Sequence, residues 1–140
     1  MQIAKERLAK YNNIVFHQLG LSNTKATLRF DTGGSSSKIS QEGDVTIEVD
    51  RLDDIIDEKV TFIKMDIEGA EPQAIDGARE TIAKYHPKLA ISVYHRKDDL
   101  WAIAQQILAI REDYSPFAPQ NHPQTINKAL RINKCTKLLS

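Results

Sequence analysis

The chain has a single cysteine, Cys135, so no disulfide can form within it and nothing points to an oxidising compartment. Cytoplasm is the expected location. An excess of either charge is also absent: nineteen basic residues balance nineteen acidic ones, and no long block of one sign occurs. The electrostatic footprint of a nucleic-acid or anionic-membrane binder is therefore missing, which leaves a small molecule or another protein as the partner. Long hydrophobic runs are lacking too. The longest, such as Leu89 to Val93, are far too short to span a bilayer, and "MQIAKERLAKYNN" at the start reads as a charged helix rather than a signal peptide. No repeat or interdomain linker is evident. With 41% hydrophobic residues in 140, a single domain with a real core is expected.

What is present is an alternation of strand and helix patterns. "NIVFHQLGL" reads as a strand. "TKATLRF" (Thr24 to Phe30) and "DVTIEVD" (Asp44 to Asp50) alternate polar and apolar residues as half-buried strands do, with the Gly/Ser-rich loop "DTGGSSSKISQEG" between them. "RLDDIIDE" suits a short helix. "VTFIKMDI" is a β-branched and aromatic run expected to be a central strand buried on both faces. One helix is predicted over "EPQAIDGARETIAKYH", starting at Pro72 and placing Ala74, Ile75, Ala78 and Ile82 on one side. "KLAISVYH" follows as a second buried strand, "DDLWAIAQQILAIRED" as an amphipathic helix with Trp101 on its apolar face, and "INKALRINK" as a last strand. This order predicts an α/β sheet with parallel strands and a site at their carboxyl ends.

The chemistry gathers at "MDIEGAE", where strand turns to helix. Asp66 closes the strand, and side-chain alternation allows Asp66 and Glu68 to face one side while the backbone turns at Gly69. Acids packed so near a glycine turn need a cation, a donor or a shared proton. Glu71 lies in the first helical turn, where the helix dipole favours a negative charge, so a purely local role is open to it. His95 ends the next strand pattern and falls on the same rim if the two strands are parallel neighbours. There it can serve as a base oriented by the carboxylates; alone it would be a surface residue. Glu68, Glu71 and His95 also make an O/N set able to ligate a metal. His17, His86, His122 and Cys135 carry no such pattern, and "GGSSS" lacks the helix and lysine of a phosphate-binding loop.

"VTFIKMDIEGAEPQAIDGARETIAKYHPKLAISVYHRKDDLW" resembles the central and C-terminal part of FkbM-type S-adenosylmethionine-dependent methyltransferases, which share a strand reading "IKxDxEGxE", a "GA" helix and a strand ending in "YH". "VDRLDDII" and "NIVFHQLGLSNTKATLRF" resemble the segments upstream. The resemblance implies a Rossmann-like methyltransferase sheet, mostly parallel, with an inserted β-hairpin and an antiparallel last strand. It implies methyl transfer from S-adenosylmethionine to an oxygen of a small molecule or sugar. Asp66 would lie near the methionine part of the donor, Gly20 and Leu21 near its adenine, and Glu68, Glu71 and His95 beside the acceptor.

No "GxGxxG"-like segment occurs in the sequence; Gly33 and Gly34 lie in a hairpin loop, and Gly69 and Gly77 flank the acidic turn. The expectation is accordingly a partial domain over residues 1–140, lacking its first two strands, that binds S-adenosylmethionine weakly or not at all by titration calorimetry. Its "VTFIKMDI" strand would then have a bare edge able to recruit a second copy as a homodimer. Whether such a chain is an enzyme stays open at this level. The alternatives are a non-catalytic binding or assembly subunit that keeps the sheet, and the carboxylate/His metal site.

Overall fold

The computed structural model describes residues 2–31, 38–39, 45–117 and 129–134. The chain forms two compact units, one of Met1–Gly20 with Lys25–Val49 and one of Leu21–Thr24 with Asp50–Ser140. Along the chain α1 (Gln2–Leu8) precedes β1 (Gly20–Leu21), β2 (Ala26–Asp31), β3 (Lys38–Ile39) and β4 (Val45–Asp50), and these four strands form one sheet in the order β1-β4-β2-β3. β2 and β4 are antiparallel, with Ala26 opposite Val49 and Leu28 opposite Ile47, as their period-two patterning requires. The strand expected over "NIVFHQLGL" is confined to Gly20–Leu21. Ile14 and Val15 are exposed, so those two apolar residues of the stretch gain no burial from a strand. Gly33 and Gly34 lie outside the described residues.

The second unit runs α2 (Leu52–Ile55), β5 (Phe62–Met65), α3 (Glu71–Asp76), α4 (Arg79–Tyr85), β6 (Lys88–Ser92), α5 (Asp99–Ile110), β7 (Tyr114–Phe117) and β8 (Ala129–Lys134), with its strands in the order β5-β6-β8-β7. β5 and β6 are parallel, Ile63 beside Leu89 and Met65 beside Ile91, so both strands deliver their carboxyl ends to one rim. β8 runs antiparallel to β6 and to β7. Ile63, Met65, Leu89 and Ile91 pack with Ala74, Ile75, Ala78, Ile82, Ile103 and Ile107 in one core.

Three expectations are corrected here. β5 is buried on one face only: Ile63 and Met65 point inward while Phe62 and Lys64 are exposed, and the strand stands at the edge of its sheet among the described residues. Lys64 interrupts what composition alone presents as a continuous apolar run. Trp101 is 71% exposed. The buried stripe of α5 passes through Ile103 and Ile107, and a residue two positions before Ile103 is rotated about 200° from it. β7 was not expected; Pro116 inside "YSPF" argues against a strand from sequence. His122 and Cys135 lie outside the described residues.

The single helix expected from Pro72 to His86 is two, broken at Gly77 and Ala78. Gly77 presses its backbone against the backbone of Ser22 and Arg51, and its carbonyl accepts from Asp53 N–H at 3.0 Å. Asp53 then starts the second helix, accepting from the N–H groups of Glu80 at 3.0 Å and Thr81 at 2.8 Å, donors that would otherwise have no helical partner. Asp53→Ala is expected to cost about 1 kcal/mol, the usual worth of a helix cap, read as a lower urea midpoint at unchanged slope.

Candidate functional site

β5 ends at Met65 and the chain turns back through Glu68 and Gly69, which hold φ of 57° and 94°. That conformation is natural for glycine but strained for Glu68, and strain of this kind gathers at functional corners. The turn throws Glu71 inward at the start of α3, where it is fully buried. Its Oε1 accepts the Ile67 N–H at 2.9 Å, so the local role open to it from sequence is real. It is not the whole role. Oε2 is buried without a hydrogen-bond partner.

His95 arrives from the end of β6, and its side chain is only 11% exposed. Nε2 lies 3.4 Å from Glu71 Oε1 and 3.6 Å from Asp66 Oδ1, and Nδ1 lies 3.7 Å from Glu68 Oε2. The parallel pairing of β5 and β6 thus brings together all four residues singled out at the rim. They differ in access: Glu71 is enclosed, Asp66 is 41% exposed and Glu68 is 86% exposed. Ligating atoms of Asp66, Glu71 and His95 lie within 4.8 Å of one another, so Asp66 rather than Glu68 completes the compact trio.

Residues that were not singled out complete the rim. The Tyr94 hydroxyl donates to Asp66 Oδ1 at 2.9 Å, and its ring lies 4.1 Å from the His95 ring at 38°. That phenol, and then the Ser92 hydroxyl, hold the Asp66 carboxyl below the usual carboxylate range. The same bond pushes the Tyr94 phenol up. Strand alternation would send Tyr94 and His95 to opposite faces, but β6 stops at Ser92 and the two rings meet. Asp99, buried in the first turn of α5, accepts the Arg96 N–H at 2.7 Å, and the Arg96 guanidinium donates to Gly69 O at 3.3 Å. The segment carrying His95 is thereby tied to α5 and to the acidic corner.

Gly20 and Leu21 form β1. Leu21 is half-buried and packs on the core of the second unit, while a Cβ at Gly20 would come within 2.9 Å of Val49 Cγ1 in the first.

A family model described as the methyltransferase FkbM domain matches residues 4–118. The crystal structure of methyltransferase FkbM from Methylobacillus flagellatus KT is similar to this chain, with a TM-score of 0.73 at 35% identity, covering 94% of this chain and 32% of that one. No curated protein matches. The chain belongs to the FkbM methyltransferase family, and its mixed α/β fold is that of a family member. It spans about a third of the length of the solved relative. Among the described residues no helix is long and apolar enough to cross a membrane.

The strain at Glu68 sets a prediction. Glu68→Gly removes a side chain from a left-handed position that costs most residues about 1 kcal/mol, so its thermal midpoint should rise. A fall would show that the Glu68 carboxylate contributes more to the fold than the turn costs.

Proposed function

We propose that this chain carries the acceptor side of a methyl transfer from S-adenosylmethionine to a hydroxyl oxygen of a small molecule or sugar, and that Asp66, Glu71 and His95 are the residues that receive the acceptor. Family membership supports a methyl donor. The observation that carries the reading is the fully buried Glu71 holding a carboxylate oxygen 3.4 Å from His95 Nε2, with the exposed Asp66 3.6 Å away on the open side. An exposed carboxylate held anionic by Tyr94 also suits the cationic groups of this donor.

S-Adenosylmethionine supplies an electrophilic methyl on a positively charged sulfur. As the new O–CH₃ bond forms and the S–CH₃ pair stays with sulfur, the acceptor must lose its O–H proton. Asp66, at the mouth, accepts that hydrogen bond, orients the oxygen and relays the proton to Nε2 of His95 behind it, 3.6 Å away. Glu71 offsets the positive charge that develops on the ring, in a site where burial strengthens the interaction. Glu68 borders the acceptor from solvent. By resemblance Asp66 also reaches the methionine end of the donor, and Gly20 and Leu21 its adenine.

Transfer of labelled methyl from S-adenosylmethionine to a panel of sugars and hydroxylated small molecules tests the reading. Label should appear in an O-methyl ether, and deoxy analogues lacking that hydroxyl should take up none. Label found only on nitrogen or carbon would overturn it.

A further inference from the structure

We propose that Asp66, Glu71 and His95 bind a divalent metal cation, coordinated by His95 Nε2, both oxygens of Glu71 and one oxygen of Asp66. Metal–ligand bonds of about 2.1 Å leave neighbouring ligand atoms roughly 3.0–3.5 Å apart. The separations of 3.4 Å and 3.6 Å from Nε2 to Glu71 Oε1 and Asp66 Oδ1 are close to that spacing and exceed a good hydrogen bond. Both His95 Nε2 and Glu71 Oε2 are buried with no hydrogen-bond partner, an arrangement that is costly unless something fills it. A proton on His95 would answer Nε2 but leave Glu71 Oε2 unpaired. A cation held by Nε2 and by both oxygens of Glu71 answers both.

The surroundings agree with this assignment. Two carboxylates supply the negative charge that a divalent ion balances, and the imidazole supplies a nitrogen ligand. The mixed O/N set favours ions of the manganese-to-zinc range over calcium. Glu68 Oε2 lies 3.7 Å from Nδ1, on the side of the ring away from the ion. Asp66, 41% exposed, leaves an open side where the acceptor oxygen can join the coordination sphere. In the proposed methyl transfer the ion would take the place of His95 as the group that promotes loss of the hydroxyl proton, lowering the pKa of the bound hydroxyl, and the proton would leave to solvent on the open side at Asp66. Only that last role rests on the proposed function; the binding of the ion does not.

Titration of the chain with Mn²⁺, followed by the loss of the free-ion EPR signal in the absence of donor and acceptor, tests the site. One bound ion is expected, with affinity falling about tenfold or more in Glu71→Gln and in Asp66→Asn, and Co²⁺ should give a visible absorption band that both variants lose. Asp66 is exposed, so its variant keeps the test valid if Glu71→Gln fails to fold. No Mn²⁺ bound at millimolar concentration, or equal affinity in Asp66→Asn, would overturn the site. Methyl transfer that needs His95 yet is indifferent to a strong chelator would overturn the ion's role in the reaction, while leaving the proposed function standing. Specific Mn²⁺ binding without methyl transfer to any hydroxyl would do the reverse.

Discussion

Alanine at position 77 is expected to destabilise this chain by about 3 kcal/mol or more, at the severe end of single substitutions. The glycine has an ordinary helical φ of −74°, so backbone freedom is not what it supplies. It supplies space. A Cβ there would lie 1.9 Å from Ser22 O, 2.9 Å from Ser22 C and 3.3 Å from Arg51 Cα, all backbone atoms that cannot swing aside. The residue is also pinned from both ends, its N–H donating to Gln73 O and its carbonyl accepting from Asp53, each at 3.0 Å. Relief would have to break the turn between α3 and α4 and disturb the cap that Asp53 provides. Urea unfolding followed by circular dichroism measures the loss. A change within about 0.5 kcal/mol, typical of free surface positions, would show that the Ser22 and Arg51 backbones do not rest on Gly77.

In a transfer-competent protein that contains this chain, His95→Ala and Glu71→Gln are expected to lower methyl-transfer turnover by about 10²- to 10⁴-fold, the range contributed by a positioned acid or base. Both should leave the donor's Kd within about threefold, because the loss falls on a group that acts in the transition state rather than in uniform binding. Glu71→Gln is the cleaner of the two. Its amide oxygen can still accept the Ile67 N–H, so the turn at Gly69 keeps its anchor while the buried charge beside His95 is removed. Turnover measured at saturating donor, beside a thermal midpoint for each variant, separates chemistry from folding. If turnover falls only in proportion to the folded fraction, the rim is a structural element and the site lies elsewhere.

The strand-to-helix corner and its four polar residues were legible from sequence because each rests on a local rule. A strand ending in Asp66, a glycine turn at Gly69, a helix start at Glu71 and a parallel neighbour ending in His95 suffice to place them on one rim. Access was not legible. Glu68 and Glu71 look alike in "EGAE", yet one is largely exposed and the other fully buried, a difference set by the left-handed turn and by the Ile67 N–H that draws Glu71 inward. Tyr94 was missed because period-two reasoning holds only while the strand lasts, and β6 ends two residues before it. The helix break at Gly77 depends on Ser22 and Arg51, contacts far away in sequence that no helical pattern encodes. Trp101 misled through its character: a large apolar residue in an amphipathic helix invites a core assignment, whereas the stripe through Ile103 and Ile107 excludes it.

The seating of the acceptor at Asp66 is decided by a crystal structure of the transfer-competent protein with S-adenosylhomocysteine and the acceptor identified by the labelling assay. The acceptor hydroxyl oxygen is expected within hydrogen-bonding or coordination reach of Asp66 and in line with the donor sulfur, with His95 and Glu71 behind it. An acceptor seated with its hydroxyl away from Asp66 and His95, in contact with neither, would contradict it.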